Sequence, residues 1–106
     1  RLGGPRRRSG AVLVIDQAET LVGIFTDSDL ARLFERRREE MLDRAIRWVM
    51  TSNPKHIAVG ASVGEAVDLM KAHKISELPV VDRGGWPVGL VDITDLIGLL
   101  PDESEE

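Results

Sequence analysis

A chain of 106 residues, 42% hydrophobic and 30% charged, has room for one core but too little material for a large enzyme cavity. A formal net charge of −4 argues against nucleic acid as the main partner, and the lack of cysteine excludes disulfides, thiolate metal sites and cysteine nucleophiles. No apolar run approaches the roughly 20 residues needed to span a bilayer.

In chain order, Arg6-Arg7-Arg8 reads either as a phosphate-binding patch or as a solvated loop, the commoner meaning of such a run. Ala11–Ile15 and Leu21–Phe25 are short apolar runs rich in β-branched residues, and Gln17–Thr20 between them is hairpin-length. Thr26 opens a helix with Leu30, Leu33 and Phe34 on one face. That helix either continues through Glu35–Glu40, as an exposed surface with internal ion pairs, or breaks before a new stripe at Leu42, Ile46 and Val49. Thr51–Pro54 is a stop and turn, and His56–Val59 a short extended segment. Ser62 with Glu65 forms a capping box for a helix to about His73, with Val63, Ala66, Val67 and Met70 on its buried face. Leu78–Val81 and Val88–Val91 are strands joined through Arg83-Gly84-Gly85-Trp86. Ile93–Leu100 is a closing helix stopped by Pro101, and the acidic tail Asp102–Glu106 is expected to fray.

The chain repeats itself. A shift of 66 residues lays Val14, Asp16, Val22, Gly23, Asp29, Leu30 and Leu33 on identical residues in 77–100. Two copies of one supersecondary unit predict a pseudo-twofold α/β fold, β-β-α followed by β-α-β-β-α, with a ligand-sized cleft between the halves. Carried back by the same shift, the start of the first copy falls ahead of Arg1, so a first copy truncated at its N-terminus is expected.

These residues carry a family likeness. Val49-Met50-Thr51, Ile57-Ala58-Val59, Glu65–Met70, Lys74–Asp82 and Gly89–Leu96, in that order, resemble a cystathionine-β-synthase (CBS) motif. Residues 10–34 are similar to the latter half of another. The implied organisation is a truncated first motif with a linking helix over 1–48, a complete second motif over 49–101, and a tail over 102–106. More narrowly, Gly23–Leu30 followed by Val49-Met50-Thr51 looks like the tail of arabinose-5-phosphate isomerases, which feed 3-deoxy-octulosonate synthesis for lipopolysaccharide. The resemblance implies a cytoplasmic regulatory module without catalytic residues of its own. It implies no required cofactor, with an adenosine nucleotide or nucleotide-sugar as effector. The implied partners are an isomerase domain and a second copy met through the helices, with neither nucleic acid nor membrane.

The candidate ligand residues begin with Gly23-x-x-Thr26-x-x-Asp29. Thr26 lies where a strand meets a helix and suits a phosphate, and Asp29 one turn on suits the two hydroxyls of a ribose. The family pattern adds Thr51, Ile57 and Pro79 as cleft walls. Self-capping by Thr26 and Asp29 fits equally well and does not exclude a ligand. At the repeat positions Asp92 and Asp95, capping is the stronger reading: a carboxylate in place of the hydroxyl repels phosphate, so the two clefts should differ. His56 and His73 do not make a metal pair, and Trp48 and Trp86 read as packing or interface residues. Asp16 and Asp82 read as turn residues, and no nucleophile–base set or P-loop is present. Ligand sensing leads. The second function is constitutive association through Leu30, Leu33, Phe34, Leu96, Leu99 and Leu100.

Overall fold

The computed structural model describes residues 10–97. Arg6–Arg8, Leu99, Leu100 and the acidic tail lie outside them. The first copy forms β1 (Ala11–Ile15), β2 (Leu21–Thr26) and α1 (Asp27–Glu35). After two short 3-10 turns, Glu39–Asp43 and Ile46–Trp48, come β3 (Thr51–Ser52), β4 (Ile57–Ala58), α2 (Val63–His73), β5 (Glu77–Val81), β6 (Pro87–Asp92) and α3 (Ile93–Ile97). These make two three-stranded sheets, β1-β2-β3 and β4-β5-β6. The first is antiparallel throughout, whereas β4 runs parallel to β5 and β5 antiparallel to β6.

The repeat extends to individual hydrogen bonds. Asp16 Oδ1 accepts from the backbone N–H groups of Ala18 and Thr20, and Asp82 Oδ1 accepts from those of Gly84 and Trp86. One carboxylate thus closes each hairpin, which is the turn role expected of both aspartates. The register shifts between Val14 and Ile15 in one hairpin and between Val80 and Val81 in the other. Each hairpin also hands its first strand to its helix in the same way: Gly10 carbonyl accepts from Asp27 N–H, and Ser76 carbonyl from Ile93 N–H, both at 2.7 Å. The two hairpins touch where Leu21 N–H donates to Gly85 carbonyl at 3.0 Å. The mirror-related bond cannot form, because Pro87 stands at the repeat position of Leu21 and has no N–H.

Three sequence expectations are corrected. The helix opened by Thr26 ends at Glu35, so the Glu35–Glu40 stretch is not a helix surface. Arg37 turns left-handed (φ 56°), and Arg37 N–H and Arg38 N–H bond back to Phe34 and Leu33 carbonyls at 3.1 and 2.8 Å. This is a Schellman stop made without glycine. The linker is therefore two 3-10 turns instead of a helix. Thr51-Ser52, read as part of a turn, is a strand pairing Thr51 with Ile24 and Ser52 with Gly23.

The main core lies in the second half. Ala66 and Met70 on α2, Leu78 on β5 and Leu96 on α3 form its buried cluster, with Ile57, Val67, Leu69, Ile75, Val91 and Ile93 packed around them. Burial at i and i+4 of α2 follows from the 3.6-residue period. α1 buries none of its residues, and Phe34 is 48% exposed.

Candidate ligand-binding cleft

Both α1 and α2 start with a side-chain cap. Thr26 is extended (φ −109°, ψ 166°), its Oγ1 accepts from Asp29 N–H at 3.1 Å, and Asp29 Oδ2 accepts from Thr26 N–H at 2.8 Å. Ser62 and Glu65 repeat this at α2, and the hydrogen bond from Ser62 N–H holds the Glu65 carboxyl below its usual value. In α1 the cap does more than start a helix. It fixes a threonine hydroxyl and a carboxylate side by side on the rim of a cavity of about 270 Å³.

Both copies build that cavity. The first supplies Ile24 and Thr26 from alternate positions of β2, with Ser28, Asp29 and Arg32 from the first turns of α1. The second supplies Thr51 from β3 and Pro54 and Lys55 from the β3–β4 connection. Lys74, Ile75 and Ser76 follow from the end of α2, and Glu77 and Pro79 from β5. Buried Pro54 and Pro79 make rigid apolar walls, and charged side chains share the rest with hydroxyl and isoleucine side chains. Lys74 reaches the cavity because it ends α2 in the left-handed region (φ 55°, ψ 46°). Its N–H and that of Ile75 bond back to Lys71 and Met70 carbonyls in a second Schellman stop.

Arg32, Lys55 and Lys74 line the same cavity as Asp29 and Glu77. Arg32 is paired with Asp29 Oδ1. Lys55 and Lys74 make no ion pair among the described residues. Partial burial, with the Asp92, Asp27 and Asp29 carboxylates nearby, pushes Glu77 above the usual carboxylate value. Asp92 is its direct cross-strand partner. A cavity with apolar walls, a fixed hydroxyl–carboxylate pair and two unpaired cations suits a small, anionic, hydroxyl-bearing molecule.

Of the seven residues named from sequence, Thr26, Asp29, Thr51 and Pro79 line the cavity together. Three do not. Ile57 packs against the Met70–Leu78 core, because β4 lies beside β5 and turns this side chain into the second half. Asp92 and Asp95 stand at the repeat positions of Thr26 and Asp29, at the start of α3, and are not among the lining residues. There Asp92 Oδ1 accepts from Thr94 N–H and Oγ1 at 2.9 and 2.7 Å, and Asp92 N–H donates to Asp95 Oδ2 at 3.2 Å. Sequence reasoning missed Arg32, Lys55, Lys74 and Glu77. Of these, Arg32 alone differs informatively in the repeat, where glycine stands at 98 opposite it.

Among the described residues no three histidine or acidic side chains gather as metal ligands, and no helix is long and apolar enough to cross a membrane.

Comparison with known proteins places this architecture. A family model described as the CBS domain matches residues 44–102, more than half of the chain. The chain belongs to the CBS-domain family. Its CBS region is 42% identical over 86 residues to the arabinose 5-phosphate isomerase KdsD of Francisella tularensis, covering 81% of this chain and 26% of that protein. It is also 41% identical over 86 residues to an inosine-5′-monophosphate dehydrogenase of Helicobacter pylori, covering 80% and 17%. The chain thus spans about a quarter or less of these curated relatives. Among solved structures, a CBS domain protein of Pyrobaculum aerophilum complexed with AMP superposes with a TM-score of 0.74. The two are 25% identical, and the match covers 82% of this chain and 66% of that one. The α/β CBS-pair fold read from the sequence is therefore the observed one, and the CBS region is regulatory in kind.

Proposed function

We propose that this CBS pair senses an adenosine nucleotide in the cleft between its halves and controls an attached sugar-phosphate isomerase of the arabinose 5-phosphate type. The observation that carries the reading is the cavity itself. Residues from both copies line it, and a carboxylate and hydroxyl are fixed beside unpaired lysines. In this reading Asp29 takes the ribose hydroxyls, Thr26 Oγ1 donates its proton to a phosphate, and Ile24, Thr51 and the two prolines hold the base. About 270 Å³ is at the small end of ligand sites and suits one nucleoside phosphate better than a nucleotide-sugar. The AMP complex of the Pyrobaculum protein supports the ligand class, and the identity to KdsD supports the partner. The 3-deoxy-octulosonate pathway and a cytoplasmic location follow if the partner is right. Regulation requires that the ligand prefer one relative placement of the two halves.

Thermal unfolding against AMP, ADP, ATP, S-adenosylmethionine and a cytidine-monophosphate sugar tests this. A ligand at 100 times its Kd adds about 2.7 kcal/mol to stability. A shift with an adenosine nucleotide that disappears in Asp29→Asn is the expected result. A second reading, constitutive association, is favoured by the exposed α1 residues Leu30 and Phe34. Mass rising with concentration, with no nucleotide shifting the unfolding temperature, would replace the first reading with the second.

A further inference from the structure

We propose that Arg32 makes this cleft selective for a nucleoside 5′-phosphate over the bare nucleoside, by leaving Asp29 for the phosphate as the ligand enters. The inference rests on the nucleotide reading of the cleft. Both oxygens of Asp29 are engaged, Oδ2 by Thr26 N–H and Oδ1 by Arg32. The first bond is half of the capping box and holds the start of α1. The second joins a carboxylate that is 14% exposed to a guanidinium that is 50% exposed. Arg32 is thus the partner able to leave, since a half-hydrated ion pair is weakly held.

A ribose diol approaching Asp29 competes for Oδ1. With a neutral nucleoside, Arg32 surrenders its carboxylate for water alone. With a phosphate in the same cavity, the guanidinium exchanges one oxyanion for another and can meet it with two parallel N–H donors. Phosphate binding and ribose binding are then coupled through one side chain. Lys55 and Lys74, which line the same cavity, keep the local charge favourable when Asp29, Glu77 and the phosphate are all present.

The repeat supplies an independent observation. The positions of Thr26, Asp29 and Arg32 carry Asp92, Asp95 and Gly98 in the second copy. The ribose-type carboxylate is kept, the hydroxyl becomes a second negative charge, and the arginine is lost. Hydroxyl and arginine are thus replaced together in the second copy, which fits a shared role toward phosphate.

The test is calorimetric titration of AMP and adenosine into the chain and its Arg32→Gln and Arg32→Lys variants. The native chain should prefer AMP. In Arg32→Gln that preference should fall by about tenfold or more, because AMP weakens while adenosine holds or tightens. Arg32→Lys, which keeps the charge without the fork, should retain part of it. An unchanged ratio, or equal weakening of both probes, overturns the role of Arg32 and leaves the nucleotide reading standing. Failure of the native chain to bind either probe overturns both.

Discussion

Replacing Gly23 by alanine puts a methyl group into space that the Met50 side chain fills. A Cβ built there lies 2.2 Å from Met50 Sδ, 2.8 Å from Cε and 3.0 Å from Cγ. Ordinary carbon contacts begin near 3.5 Å, so the thioether must retreat by about 1.3 Å. Methionine is flexible, but contact along the chain as far as Cγ leaves no rotation of its end alone that clears the methyl. Overpacking of this kind costs about 1–3 kcal/mol. At roughly 4 °C per kcal/mol for a chain of this length, that is a loss of about 4–12 °C in Tm. The repeat supplies the control. At Gly89 the new Cβ meets only Val80, at 3.8 and 4.0 Å, which is ordinary contact. Gly89→Ala should therefore be neutral, or stabilising by about 0.4–1 kcal/mol through a stiffer unfolded chain. Thermal and urea unfolding of the two single variants measures the difference. Equal losses at both positions, or a neutral Gly23→Ala, would refute the argument that Met50 makes the two glycines unequal. The loss at Gly23 should also reach the cleft, because Met50 adjoins Thr51 and Thr51 pairs with Ile24.

Glu77 has a folded value raised above the ordinary 4.5, so its favourable contribution is complete below that pH and is lost as pH rises through the raised value. Glu77→Gln should accordingly raise the unfolding temperature at pH 7, with the gain fading as pH falls through the raised value and gone below about 4.5. A gain that persists in acid would point to some other cause. Lys74→Gly should separate stability from binding. Glycine removes a left-handed lysine and should stabilise the fold by about 1 kcal/mol, while AMP binding weakens by loss of a cation. A fall in stability would show that the lysine stem contributes packing that outweighs the backbone strain.

The repeat was legible because its turn aspartates, strand alternation and helix caps are local signals, each written within a few residues. Thr26 and Asp29 were legible for the same reason. The charged wall was not. Arg32, Lys55, Lys74 and Glu77 sit on separate elements, carry no periodicity, and converge only once the sheets are placed. The end of α1 was hidden as well, since sequence reading looks for glycine in the left-handed position, and here Arg37 holds it. Strand β3 is two polar residues long, defined wholly by its partner Gly23-Ile24 across the sheet. Ile57 shows the converse difficulty: the family pattern names it as a cleft wall, while the structure packs it partly buried against the cluster of Met70 and Leu78.

Strand β3 belongs to the second copy by sequence and to the first sheet by hydrogen bonding. The unit of duplication and the unit of folding are therefore different objects. A cut at the sequence boundary before Val49 would carry the edge strand of one sheet away with the other half, leaving Gly23 without the Met50 that covers it. A single ancestral copy with this wiring could complete its sheet only by lending a strand to a second copy. The loan of β3 to the first sheet, made here within one chain, is one half of what a strand swap between two chains would require.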